Sequence, residues 1–261
     1  NGDTSDYHAL QVQFRQRVTR GLQALASYTW SHSIDSTSVD NPLFDTGNRG
    51  SSGFDIRHAF NSAVTYNIPA PKWGPVGKAV LGGWSVDSIV SARTATPVEV
   101  ISTGGTDSTG QPFTVRADLV SGVPIYLDDP TAPGGRRINR AAFANPPVDA
   151  SGAPTRQGTL GRGVIRGLGF WQVDFALRRE FKLTEKVRTQ FRAEFFNVFN
   201  HPNFGPPVTS LSPNVAPAQF GVPNSTLANV LGGAAGLGGG FNPQYQSGGA
   251  RSTQFALRLS F

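Results

Sequence analysis

The side chains that could do chemistry are scattered along the sequence and form no catalytic set. A glycine-rich stretch at Gly161–Gly169 superficially resembles a phosphate-cradling loop, but it lacks the following helix and the Lys-Ser/Thr pair of such loops. Asp128 and Asp129 stand beside a proline, which is more typical of a solvated loop than of a Ca²⁺ site. The histidines have no metal-ligand spacing: they are His8, His32, His58 and His201. With no Cys and no Ser/His/Asp set near a strained turn, the sequence predicts no catalysis, no metal and no cofactor.

Five charged side chains in two late segments are the best candidates for contact with a ligand inside a lumen. They alternate with apolar residues, and the side chains of a strand point to opposite faces with period two. They are therefore predicted to lie on the polar face of their strands. The candidates are Asp174, Arg178, Arg188, Arg192 and Glu194. The alternative is that these charges pair with one another across neighbouring strands.

The last segment of the chain, residues 251–261, alternates without interruption. Phe255 and Leu257 fall on one side of an extended strand and Gln254 on the other, and the chain ends on an aromatic residue, Phe261. A soluble protein rarely ends in this way, because termini usually fray in water. The final strand of a bacterial outer-membrane barrel does end in this way, since it closes the ring and places its terminal aromatic at the membrane interface. On this segment alone, a half-buried strand of a soluble sandwich is an equal alternative.

Six further segments alternate similarly, and together they predict an all-β chain of about seven long antiparallel strands. Gly and Pro are abundant, at 31 and 19 residues, and no stretch has a sustained 3.6-residue apolar period. The predicted strands are 7–18, 22–34, 55–68, 82–101, 170–182, 187–199 and 251–261. Short connections at 19–21, 69–81 and 183–186 alternate with long ones at 35–54, 104–169 and 200–250. The two longest connections are rich in Gly and Pro and show no clear element, which is common for the outer loops of a large membrane barrel.

The alternation of connection lengths predicts an orientation. Outer-membrane barrels have short periplasmic turns, long extracellular loops and a girdle of aromatic residues at each interface, so the C-terminus is expected in the periplasm. The predicted outer rim carries Tyr28, Trp30, Trp171 and Phe199, and the predicted inner rim carries Tyr66, Trp84, Phe181 and Phe261. Both girdles follow from one up-and-down topology, which favours a transmembrane barrel over a soluble sandwich. Arg179 falls on the apolar face and is a defect in the pattern.

Seven strands cannot stand in lipid as an open sheet, because each edge would leave unpaired backbone groups. They are therefore predicted to form a curved, open portion of a larger barrel. The sequence starts with neither Met nor a signal peptide, so a fragment or a processed product is expected. No run of about 18 apolar residues predicts a transmembrane helix. The net charge of +6 comes mainly from Arg residues spread along the strands, so nucleic-acid binding is not expected.

Several segments resemble, in order, the late barrel strands of Oar-like TonB-dependent receptors, which carry a carboxypeptidase-regulatory-like domain. The resemblance spans nearly the whole chain. It rests on Ser5–Val12, Arg20–Asp35, Phe54–Phe60, Leu81–Trp84, Asn139–Ala144, Gly158–Gly161, Phe191–Gly205 and Gln254–Phe261.

This resemblance implies that residues 1–261 are the C-terminal part of a 22-stranded outer-membrane barrel of a Gram-negative bacterium, without its plug and N-terminal strands. The implied function is TonB-dependent uptake of an unidentified ligand. Implied partners are outer-membrane lipid, the barrel-assembly machinery through the C-terminal strand, the TonB complex through parts not included in this sequence, and the ligand. A surface adhesin or structural barrel of the same family, and a soluble β-sandwich binding domain, remain as alternatives.

Overall fold

A computed structural model describes residues 4–17, 21–36, 49–70, 73–106, 112–184, 187–231 and 247–261. Its strands are β1 (Ser5–Arg17), β2 (Leu22–Asp35), β3 (Gly50–Ser51), β4 (His58–Asn67), β5 (Trp84–Arg93), β6 (Ile101–Thr106), β7 (Pro112–Arg116), β8 (Asp118–Leu119), β9 (Tyr126–Asp128), β10 (Arg136–Ile138), β11 (Phe143–Ala144), β12 (Phe170–Lys182), β13 (Arg188–Phe196) and β14 (Ser252–Ser260). Two short helices are α1 (Gly74–Leu81) and α2 (Leu227–Leu231), and 3₁₀ turns lie at Pro133–Gly135 and Arg140–Ala142.

One antiparallel sheet contains the seven long strands in the order β1-β2-β4-β5-β12-β13-β14, with the short β3 added beside the end of β2. Each long strand pairs with the long strands before and after it in sequence, which is the up-and-down topology that the alternating pattern predicted. Strands β1 and β14 do not pair with each other, so the sheet is open. The predicted all-β, antiparallel fold is therefore confirmed.

The bounds of two predicted strands need correction. The segment predicted as 55–68 forms a strand only from His58, and the one predicted as 82–101 ends at Arg93. The chain leaves the sheet there, and Pro97 forms an isolated bridge with Arg166 instead. The connection predicted at 69–81 contains helix α1. Parts of the predicted connections at 19–21, 35–54, 104–169, 183–186 and 200–250, including the glycine run 232–240, lie outside the described residues.

The register gives the sheet one apolar and one polar face. Along one row, Tyr28 of β2 lies opposite Phe60, which lies opposite Ala92, which lies opposite Trp171. Every second residue of β14, counted from Phe255, extends this apolar face at the far edge of the sheet. Phe255 itself is 68% exposed. Large apolar side chains on an open surface indicate contact with a partner or with lipid.

The two longest connections do not lack structure, which corrects the expectation for 104–169 and 200–250. The described residues of 94–169 and 197–231 fold together into a unit that we call the cap. It contains three two-stranded sheets, in which β6 pairs with β7, β8 with β11 and β9 with β10. Its buried core consists of Val100, Ala117, Ile138, Ala142, Phe143, Leu160, Ile165, Leu211 and Phe220. Strands of two or three residues carry too little alternation to stand out in the sequence, which is why the pattern missed them.

Backbone hydrogen bonds join the two parts of the cap. The Leu211 amide donates to the carbonyl of Ile101 at 2.8 Å, and the Ile138 amide donates to the carbonyl of Gly221 at 3.1 Å. Chain segments also approach closely where glycine leaves room. A Cβ on Gly158 would stand 2.1 Å from the carbonyl oxygen of Arg116, which no real side chain could do. The abundant glycines of this region therefore serve packing at least as much as flexibility.

Candidate functional site

The five predicted lumen candidates lie on one face of β12 and β13. Arg178 lies opposite Arg192, Lys182 opposite Arg188, and Ala176 opposite Glu194. Asp174 shares this face, where its Oδ1 accepts hydrogen bonds from Gln172 Nε2 at 2.7 Å and from the Asn197 amide at 2.8 Å. Whether any of them contacts a ligand stays a prediction.

Ion pairs engage the three arginine candidates of this polar face. Arg178 on β12 reaches across to Asp87 on β5, with Nη2 and Oδ1 2.9 Å apart. Arg188 pairs with Glu180 at 3.3 Å, and Arg192 pairs with Glu194 on its own strand at 2.8 Å. The pairs of Arg178 and Arg188 join neighbouring strands, as the alternative prediction had it, whereas the pair of Arg192 stays within β13. These pairs balance the charges of the three arginine candidates, on a face that stays polar and wettable.

An apolar patch that was not predicted from the sequence interrupts the polar face. Leu25 lies opposite Ala63, and Ala63 lies opposite Ile89 on the next strand. Leu25 is 40% exposed and Ile89 is 50% exposed. The sequence does contain a signal for this patch. Each of the three side chains is apolar at a position where the alternation of its strand calls for a polar residue.

The four aromatics predicted for the outer rim gather where the long connections leave the sheet. Tyr28 Oη lies 2.7 Å from His58 Nδ1, and the two rings stack. Trp171 stacks on His201 with ring centroids 4.1 Å apart and meets Phe199 at 6.1 Å. Trp30 lies one residue pair further along the same face, opposite His58, and is 53% exposed.

The aromatics predicted for the inner rim explain the defect at Arg179. Its guanidinium lies 5.0 Å from the ring centroid of Trp84 and 4.3 Å from that of Phe181. Arg over an aromatic face is a favourable cation–π contact, and a long Arg side chain at the end of a membrane strand can reach the interface. Tyr66 and Phe261 are also exposed, at 39% and 96%.

A groove of about 830 Å³ lies between the apolar face and the cap. One wall consists of side chains in the row from Tyr28 to Trp171, and the other is the cap segment Pro130–Gly135. Arg93 and His201 also line it, and no carboxylate of the residues that the structure describes does. A cavity of this size falls within the range of small-molecule sites, about 300–1,000 Å³.

The glycine-rich stretch holds the cap to the sheet through two arginines. Arg162 donates to the backbone carbonyl of Asp35 at 2.7 Å and pairs with the Asp35 carboxylate at the end of β2. The two side chains are 1% and 4% exposed. The segment packs closely enough that a Cβ on Gly163 would stand 2.5 Å from the carbonyl oxygen of Ser51. The stretch is therefore a docking segment and not a phosphate loop.

Arg166, the second arginine of this segment, pairs with Asp55. Its Nη2 lies 2.6 Å from Oδ2 of Asp55, a side chain that is 1% exposed. Burial alone would raise the pKa of Asp55, but hydrogen bonds from the Ser33 amide, Arg166 and His32 outweigh it and hold the pKa below its usual value. The Asp55 carboxylate is thus ionised and fixed. In the sequence, this contact is indicated by two arginines among the glycines of 161–169 and by two acids far upstream. These acids are Asp35 at the end of β2 and Asp55 in the connection before β4.

Beneath this contact, Glu99 accepts a hydrogen bond from the Gly163 amide at 2.8 Å. Burial raises the pKa of Glu99 despite that bond and the nearby charges of Arg116 and Arg162. Burial also lowers the pKa of Arg116, against the attraction of Glu99. The acids and bases at the cap–sheet junction hold one another in place.

Among the residues that the structure describes, no three His, Asp or Glu side chains come together in a way that could hold a metal ion. Within the same residues, no helix is long and apolar enough to span a bilayer.

An up-and-down sheet with one mainly apolar face, aromatic residues near both ends of that face and a polar opposite face is typical of a membrane β-barrel segment. A sequence model described as "Outer membrane beta barrel domain" matches residues 1–230. The chain belongs to this family and is an outer-membrane barrel protein. No curated protein and no solved structure matches it.

Proposed function

We propose that the chain is the C-terminal barrel portion of an Oar-like TonB-dependent receptor in a Gram-negative outer membrane, and that the receptor takes up a ligand. The observation that carries the proposal is the open sheet with free edges on β1 and β14. In lipid, each unpaired backbone group costs several kcal/mol, so further strands must close the ring. The ordered resemblance to late strands of such receptors supports the same conclusion.

In the proposed orientation the cap is extracellular and the turn after β12 is periplasmic. The ligand first meets the cap and then passes along the polar face. Asp174, Arg178, Arg188, Arg192 and Glu194 would then border the lumen, where their balanced charges suit a wet passage or contact with a plug. Strand β14 would be the segment that the barrel-assembly machinery engages.

The test is chemical crosslinking between the complete protein and TonB in cells. A TonB-dependent receptor is expected to give an adduct of the two proteins that disappears in cells lacking TonB. A porin in the same cells, which works without TonB, is the control and should give none. If the complete protein migrates as a folded barrel and yet forms no adduct, uptake through TonB is the wrong function.

A surface adhesin of the same family is the second candidate, and the folded cap is the observation that favours it. A unit with its own core presents a defined surface, as adhesion requires. Deleting the cap segment 98–166 would then abolish attachment of cells to a surface or to other cells while the barrel still assembles. Attachment that persists after this deletion would exclude the cap as an adhesin.

A further inference from the structure

We propose that helix α1 and the tryptophan before it, Trp73, form a membrane-surface anchor that lies among the phospholipid head groups of the leaflet opposite the cap. Helix α1 connects β4 to β5 at the ends of these strands that lie away from the cap. The proposal rests on insertion of the sheet into a membrane. It depends neither on uptake through TonB nor on which side of the membrane is extracellular.

Helix α1 presents an exposed apolar surface. Trp73 is 75% exposed, Val80 is 55% exposed and Leu81 is 41% exposed. Trp73, Gly77 and Val80 recur with the spacing of residues on one face of a helix. The structure brings the first two together, because a Cβ on Gly77 would stand 2.8 Å from the Cβ of Trp73. The described part of the chain therefore leaves this surface largely uncovered.

The contacts of Trp84 place the end of α1 on the apolar side of the sheet. Trp84 lies opposite Arg179 on the apolar face. Its indole Nε1 donates to the carbonyl of Val80, in the last turn of the helix, at 3.4 Å. The segment after the helix is tied to β12, since the Glu180 amide donates to the carbonyl of Gly83 at 3.0 Å. The exposed surface of α1 is therefore continuous with the apolar face of the sheet.

This continuity selects lipid as the occupant. The chain belongs to a family of outer-membrane barrels, in which the outward apolar face contacts lipid. A helix at the membrane surface buries its apolar side about 5–10 Å into the head-group boundary, where tryptophan is also favoured. A second copy or another protein fits less well. A stable protein interface buries at least about 1,200 Å² in total, which a few apolar side chains on a helix of two turns do not supply.

The test measures the depth of spin labels on the complete protein in vesicles of phosphatidylethanolamine and phosphatidylglycerol. The chain has no cysteine, so single labels can be attached to Val80→Cys in α1, Val64→Cys on the apolar face of β4 and Val148→Cys in the cap, with any cysteine outside 1–261 replaced. Val80 and Val148 are matched in exposure, at 55% and 57%. Collisions with oxygen, which concentrates in hydrocarbon, and with a water-soluble nickel chelate give the depth of each label.

We expect the label at Val80 to lie at head-group depth, between the label at Val64 in the hydrocarbon and the label at Val148 in water. Trp73→Ser should move the Val80 label towards water. Trp30→Ser is the control, because it removes a tryptophan from the other end of the apolar face, and it should leave this depth unchanged.

Equal depths at Val80 and Val148, or no shift in Trp73→Ser, would overturn the anchor. Shielding of the Val80 label from both oxygen and nickel would also overturn it, in favour of a contact with another protein or a second copy. If the Val64 label collides with nickel as often as the Val148 label does, the sheet itself is not in a membrane, and the proposed function fails with the anchor.

Discussion

Replacing Arg162 by Met is predicted to destabilise the cap, because Arg162 lies two residues after the core residue Leu160, while the sheet itself stays folded. Neither Arg162 nor Asp35 can regain water when the other is removed, because their side chains are 1% and 4% exposed. Removing one partner of a buried ion pair costs about 3–5 kcal/mol. Arg156 provides a control, since it also pairs with an aspartate, Asp118, but its side chain is 45% exposed. Arg156→Met should cost about 0–1 kcal/mol.

Hydrogen exchange of cap amides measures this difference in the folded protein. The Leu160 amide donates to the carbonyl of Ala117, and the Ala117 amide donates to that of Val100, so both report opening of the cap core. A loss of 3–5 kcal/mol should speed their exchange by about two to four powers of ten, and the control variant should change it by less than one. Amides between β12 and β13 should not respond.

A double variant distinguishes the loss of the ion pair from the cost of leaving one buried charge unpaired. Replacing Asp35 by Leu and Arg162 by Met removes both charges, so it should cost less than the sum of the two single changes. If Arg162→Met speeds exchange no more than Arg156→Met does, the pair does not hold the cap and the argument from burial is wrong.

Three further changes test other parts of the structure. Gly158→Ala should destabilise the cap by several kcal/mol in the same exchange assay, because its Cβ would meet backbone at 2.1 Å, whereas Gly53→Ala, which meets nothing within 4 Å, should be close to neutral. Glu99→Gln should stabilise the cap at neutral pH, since a pKa raised by burial means that the ionised form is disfavoured in the folded state. A cysteine at exposed Ser151 in the cap should react with a membrane-impermeant maleimide on intact cells, whereas one at Leu183, in the turn after β12, should react only after the outer membrane is permeabilised.

The sign of the Glu99 prediction follows from proton binding. The folded state binds this proton more tightly than the unfolded state, so the cap gains stability as the pH falls from above the raised folded pKa of Glu99 towards its ordinary unfolded value. The Gln variant should lose that gain. If Glu99→Gln still became more stable as the pH falls, Glu99 would not be the group responsible for the pH dependence. For the cysteines, labelling at Leu183 but not at Ser151 on intact cells would reverse the proposed orientation.

The sequence predicted the sheet well because each long strand carries its own evidence. Alternation over nine or more residues is a strong local signal, and lipid on one side with water on the other imposes it on every strand. The terminal segment illustrates this, since 251–261 was predicted and β14 covers Ser252–Ser260. The turn lengths fix which strand ends lie at the same level, and the place of the aromatic residues at the membrane interfaces stays a prediction.

The cap could not be predicted in this way because its order is not local. Its core draws on separate segments, such as Val100, Leu160 and Phe220, and none of these lies in a run long enough to show a period. Its ion pairs join positions more than one hundred residues apart, as Arg162 and Asp35 do. High Gly and Pro content suggested loops, but here glycine permits close backbone contact.

The distribution of buried apolar side chains explains why the cap and the sheet depend on each other differently. The described sheet buries few apolar side chains, Ala176 and Ala193 among them, while the hydrophobic core lies in the cap. The sheet is therefore stabilised by its backbone ladder and by the membrane, whereas the cap folds as a water-soluble unit does. Because 94–169 and 197–231 both contribute to one core, a change in either connection affects both. The ion pairs of Arg162 and Arg166 with Asp35 and Asp55 then hold this shared unit over the end of the sheet.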